Sequence, residues 1–127
     1  MRRSWVAAAL LLLAGALSAC DRDEGVYQQA SVLTGGNPRN GPAAIGRYGC
    51  GSCHTIPKVR SAVGTVGPPL TGIASRGYLA GRLPNSPDNM VQWIQHPQHV
   101  EKGTVMPEMG VTDSDARDIT AFLYTLR

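Results

Sequence analysis

The sequence predicts an all-α domain of about three to five helices, and three observations carry that expectation. Apolar residues recur at helical spacing in two stretches: Met90, Trp93 and Ile94, then Ala116, Ile119, Phe122, Leu123 and Leu126. No run alternates apolar with polar residues as a half-buried strand does, and there is no internal repeat. Residues 55–87 between these helices are rich in Gly and Pro with little periodicity, which predicts a long loop with one short helix near Thr71 to Arg76. A loop that long is expected only where it wraps something.

Taken in order, the chain begins with Arg2 and Arg3 ahead of an apolar run at residues 5–17, too short for a comfortable bilayer span. Residues 1–19 therefore read as an export signal. The run ends in Leu17-Ser18-Ala19-Cys20, which resembles the lipobox of bacterial lipoproteins, where cleavage leaves the cysteine as a lipid-carrying N-terminus. The plain alternative is cleavage after Ser18 and Ala19 beside an incidental cysteine. Cys20 is the candidate lipidation site, because a free exposed thiol is a liability in an oxidising compartment. Asp21 resembles the residue that retains a lipoprotein at the inner membrane, so the expected location is the periplasmic side of that membrane. Residues 20–36 are polar and end in a Gly pair, and read as a flexible tether with a span of roughly 20–24 Å.

The domain proper is expected over residues 37–127. Asn37-Pro38 offers an N-cap and a first helical proline for a helix running to about Tyr48, although Gly41, Pro42 and Gly46 lower its propensity. A second helix runs from about Asp88 to Gln95 and stops at Pro97. Thr112-Asp113-Ser114-Asp115 opens the last helix, expected to reach the C-terminus.

The whole chain has a formal charge of +3. Loss of Arg2 and Arg3 with the leader leaves ten basic residues against nine acidic, about +1, and no basic stripe for nucleic acid. With a single Phe and many Gly and Pro, the remaining chain is poor in large core residues, and a covalent cofactor would serve as a staple.

Cys50-Gly51-Ser52-Cys53-His54 supplies a reason for one. A thioredoxin-like dithiol needs its two cysteines at a helix start in a strand-helix-strand setting, and no strand pattern precedes Cys50. A structural zinc site needs four ligands, against two cysteines here plus His54, His96 and His99. The C-x-x-C-H spacing in an exported chain reads instead as attachment of haem c, with thioether bonds from Cys50 and Cys53 and iron ligation by His54. Downstream, Gly103-Thr104-Val105-Met106-Pro107 lies in an irregular segment from which a thioether could project inward, making Met106 the candidate second iron ligand. Met109, His96 and His99 are its rivals. Trp93 and Met90 are expected as pocket walls.

These residues resemble class I cytochromes c over nearly all of residues 37–127. "MVQWIQHPQHVEKGTVM", residues 90–106, is similar to the family's helix, proline and Gly-Thr-x-Met ligand loop without a gap, with Lys102 where many members have proline. Gly67-Pro68-Pro69-Leu70 resembles the family's Gly-Pro-x-Leu. The resemblance implies that the Pro68 carbonyl accepts from the second ring nitrogen of His54 and that Leu70 packs on the haem. It also implies that Gly41 and Ile45 of the first helix cross Ile119 and Phe122 of the last. No residue matches the family's propionate-binding Trp, and Arg76, Tyr78 and Arg82 are the substitutes on offer.

Two axial ligands leave no position for substrate, so the expected function is electron transfer without catalysis, by a monomer that donates to a terminal oxidase and accepts from a partner such as a quinol–cytochrome c reductase. The alternatives are a haem peroxidase, a gas-binding haem sensor, or a fixed haem subunit of an oxidase or dehydrogenase complex.

Overall fold

The last helix organises the domain. α5 (Asp113–Leu123) buries Ala116, Ile119, Thr120, Ala121, Phe122 and Leu123, and it packs against both α2 (Gly41–Arg47) and α3 (Pro87–Gln95). The computed structural model describes residues 23–127; the expected leader, Cys20 and the first residues of the tether lie outside the described residues. Ahead of α2 stands α1 (residues 23–34), and α4 (Pro97–Val100) follows α3. The architecture is the small, mostly helical one expected of the class I cytochrome c fold.

α2 and α5 meet at a glycine. A Cβ placed on Gly41 would lie 2.2 Å from the Phe122 Cβ and 2.8 Å from the Asp118 carbonyl oxygen, so only glycine lets the two backbones come this close. Ile45, Ile119 and Phe122 fill the rest of the crossing, each at most 2% exposed. The contact pair implied by the family resemblance is therefore present.

The helix ends follow the capping chemistry of the sequence, with three corrections. Ser86 caps α3 by accepting from the Asn89 N–H at 3.3 Å, with Pro87 at the first helical position, and Thr112 caps α5 by accepting from Asp115 N–H at 3.2 Å. α2, however, starts at Gly41 and not at Asn37. The Asn37 side chain accepts from Arg39 N–H, while its own N–H donates to Asp118 on α5, so Asn37 closes a turn instead of capping a helix. Pro97 both ends α3 and opens α4, where a missing N–H costs nothing. α5 stops at Leu123, because Thr125 and Leu126 turn back to the carbonyls of Phe122 and Leu123 and the Leu126 carbonyl accepts from Ala74 N–H.

Two further differences concern elements the sequence hid. Residues 23–34, read as part of a flexible tether, are helical in α1, which buries Ala30 and Thr34. Arg39 pairs with Glu24 and lies over the Tyr27 ring at 5.2 Å, and Arg127 donates to Gln29 at 2.9 Å. A two-stranded antiparallel hairpin, β1 (Tyr78–Leu79) with β2 (Leu83–Pro84), stands in the stretch read as loop. Ala80, Gly81 and Arg82 connect the strands; Ala80 and Gly81 both have positive φ, and Arg82 N–H donates to the Leu79 carbonyl at 2.9 Å, closing a β-turn at the tip. The short helix expected near Thr71 to Arg76 is a single 3-10 turn, Ile73–Ser75.

Candidate haem-binding site

Residues 50–70 fold back on themselves. Cys50–Ser52 form a 3-10 turn entered through Gly49, and the His54 N–H donates to the Cys50 carbonyl at 3.0 Å. The following loop returns to this turn: Gly64 N–H donates to the Gly51 carbonyl, Gly67 N–H to Cys53, and Leu70 N–H to Thr55. Backbone that would otherwise have no partner is thus paired within the segment, which is how a long Gly- and Pro-rich loop is held in one shape.

That shape fixes His54. Its Nδ1 lies 2.8 Å from the Pro68 carbonyl, and since a carbonyl only accepts, Nδ1 carries the proton and Nε2 keeps the lone pair for a metal. A Cβ on Gly67 would lie 2.3 Å from the His54 Cε1, so glycine is what lets the backbone lie against the imidazole. The contact implied by the resemblance is formed.

Beside the histidine is a cavity of about 590 Å³. Cys50, Cys53, His54, Pro68, Leu70, Trp93 and Met106 all line it, together with Ile45, Met90 and Ile119 from the helical core. Met109 lines it too, whereas His96 and His99 do not. Those two imidazoles stack on each other at 5.4 Å, with His96 3.7 Å from Glu108. Of the three candidates for the propionates, Arg76 and Tyr78 reach the cavity, with Arg76 also donating to the carbonyls of Pro69 and Thr71. Arg82 does not reach it; both its Nε and an Nη donate to Glu101 instead.

The residues present suit haem c better than the rival chemistries. Both thiols are free of a disulfide, and burial pushes the Cys50 thiol up, with Cys53 adding a smaller push. Among the described residues no group of three or more His, Cys, Asp or Glu is placed to hold a metal ion, whereas a structural zinc site takes four such ligands. A large apolar cavity with two thiols, an oriented imidazole and a thioether on its walls fits a porphyrin.

One structural residue of this site left no mark in the sequence. Asn85 donates to the carbonyls of Ile73 and Arg76 and accepts from the Tyr124 hydroxyl, tying the cavity wall beyond Leu70 to the end of α5. A single Asn in a Gly- and Pro-rich stretch looks like any turn residue.

Comparison with known proteins agrees with this chemistry. The family model described as Cytochrome c matches residues 39–127. Cytochrome c2 of Rhodopila globiformis is 35% identical over 91 residues, covering 61% of this chain and 83% of that protein. Cytochrome c oxidase subunit 2 of Alkalihalophilus pseudofirmus is 28% identical over 118 residues, 87% of this chain, which spans only 34% of that protein's length. No solved structure matches. The match over the folded domain and the C-x-x-C-H spacing agree, and the chain belongs to the cytochrome c family: a class I c-type cytochrome that binds haem c covalently through Cys50 and Cys53 and serves as an electron carrier, not an enzyme.

Proposed function

We propose that His54 and Met106 are the two axial ligands of the haem iron, and that the protein works on the periplasmic side of a bacterial membrane as a donor to a terminal oxidase. The observation that supports this most directly is the Pro68-oriented imidazole of His54 in the same cavity as the Met106 thioether and both cysteines. Haem bound there supplies one-electron exchange between Fe(III) and Fe(II). His54, held in one tautomer, gives the firm ligand; the thioether of Met106 favours the ferrous state, as do apolar walls such as Leu70, Met90 and Trp93. With His54 and Met106 both holding the iron, no side of it would be left for peroxide or a diatomic gas.

The likeness to an oxidase subunit supports an oxidase as the acceptor; the donor belongs to the same proposal, as a quinol–cytochrome c reductase. A fixed place in an oxidase complex is the second reading that this likeness favours, and co-purification with oxidase subunits would support it over a free monomeric carrier. The lipid at Cys20 belongs to the same proposal. Because residues 23–34 are helical and packed on the domain, only residues 21 and 22 separate a lipid-bearing Cys20 from that helix. The anchor then holds the cytochrome close to the bilayer, and two or three acyl chains hold it there durably.

The test uses the haem-loaded protein purified from membranes, as wild type, Met106→Ala and Met109→Ala. The weak long-wavelength charge-transfer band of sulfur-ligated ferric haem is expected in wild type and Met109→Ala and lost in Met106→Ala. An open site in wild type, shown by ready CO binding to the reduced protein, overturns the ligand assignment. An intact mass with unmodified Cys20 overturns the anchor.

A further inference from the structure

The loop that carries Met106 is tied together by one side chain. Gln98, the second residue of α4, uses its whole amide on it: Nε2 donates to the carbonyls of Thr104 at 2.8 Å and Met106 at 2.9 Å, and Oε1 accepts from Gly103 N–H at 3.2 Å. A glutamine amide has two N–H donors, and both are engaged. The backbone N–H of Gln98 in turn donates to the Glu108 carboxylate at 3.3 Å, so the clamp is fastened from the far side of the loop it holds. Within the loop, Thr104 N–H donates to the Glu101 carbonyl and Met106 N–H to the Thr104 hydroxyl.

We infer that Gln98 is a positioning residue for the iron ligand: it fixes the Met106 peptide from which the thioether projects, and so sets how readily the sulfur leaves the iron. This rests on the assignment of Met106 as ligand. A neutral thioether binds iron weakly, so how long it stays depends on how far the backbone behind it can move. Departure of the sulfur with its peptide strips the Met106 and Thr104 carbonyls of a shared donor. Gln98 acts by making that motion costly.

The experiment is imidazole binding to the ferric, haem-loaded protein by stopped flow, since imidazole must wait for the sulfur to leave. Gln98→Leu keeps the size of the side chain and removes all three bonds, and exchange is expected roughly 10- to 100-fold faster than wild type. Gln98→Glu retains the acceptor for Gly103 but loses both donors, and is expected to be fast as well; it carries the same test if Gln98→Leu does not load haem. A merely structural role would lower the melting temperature and leave the exchange rate alone. Exchange at the wild-type rate in both variants overturns the proposal while leaving Met106 as ligand. A charge-transfer band that survives Met106→Ala overturns the ligand assignment, and the proposal falls with it.

Discussion

His54 and Met106 line one cavity, but the chain behind each is secured differently. On the His54 side the bonds are long-range within the segment and continue into the helical core. Pro68, Gly67 and Gly64 return to His54, Cys53 and Gly51 respectively, and Tyr48 just ahead donates to Asp115 on α5 at 2.8 Å. On the Met106 side, the hydrogen bonds on residues 103–106 come from Gln98, Glu101 and Thr104, all within a few positions. A region pinned to the core opens only with the domain, whereas a locally closed loop can open alone. The difference teaches that His54 is secured by the fold and Met106 by a loop.

Substitutions at two glycines probe the first half of that comparison. Gly41→Ala drives a methyl group into Phe122 and the Asp118 carbonyl and should separate α2 from α5, costing about 3 kcal/mol, the upper part of the range for overpacking. Thermal unfolding of the haem-loaded protein measures it. Imidazole exchange should change far less than stability does; a variant that loses the charge-transfer band while its melting temperature holds would break the division into a fold-secured His54 and a loop-secured Met106. Gly67→Ala is expected to be milder globally, about 1–2 kcal/mol, because the group it meets is the His54 ring, which can tilt where a backbone cannot. Its signature should be local: a changed ferric spectrum and reduction potential from a displaced imidazole, with the helical content intact. An unaltered haem spectrum would show that Gly67 does not position His54.

The His54 side was also the more legible one. The C-x-x-C-H spacing, the opening of the last helix at Thr112, and the apolar spacing of α3 and α5 are local patterns, and local patterns survive in a sequence. The Pro68 and Gly41 contacts were legible through the family resemblance. What stayed hidden depends on partners far away in the chain, or on elements too short to have a pattern. α1 buries only Ala30 and Thr34, small residues that leave a polar-looking helix. Strands of two residues cannot alternate visibly, and the hairpin turns partly on a positive φ at Ala80, which is not a glycine. Gln98 was unreadable because all the partners of its amide are main-chain groups, which any sequence supplies.

The smallest effect expected lies where the His54 side joins α5. The Tyr48 hydroxyl, and then the Arg47 guanidinium, hold the Asp115 carboxyl below its ordinary value of 3.8. A carboxyl depressed in the folded state stabilises the fold at pH values above its unfolded value, and that contribution fades as the pH falls through the lower folded value. Asp115→Asn should therefore melt slightly below wild type at neutral pH, with the two curves converging in acid below about pH 3.8. Unfolding curves followed by far-ultraviolet circular dichroism across that range measure the gap. A constant gap from neutral to acid pH would mean that packing at Asp115, not its charge, ties Tyr48 to α5. In either case the charge-transfer band of Met106 ligation should be unmoved at neutral pH, because no bond on residues 103–106 reaches this corner of the domain.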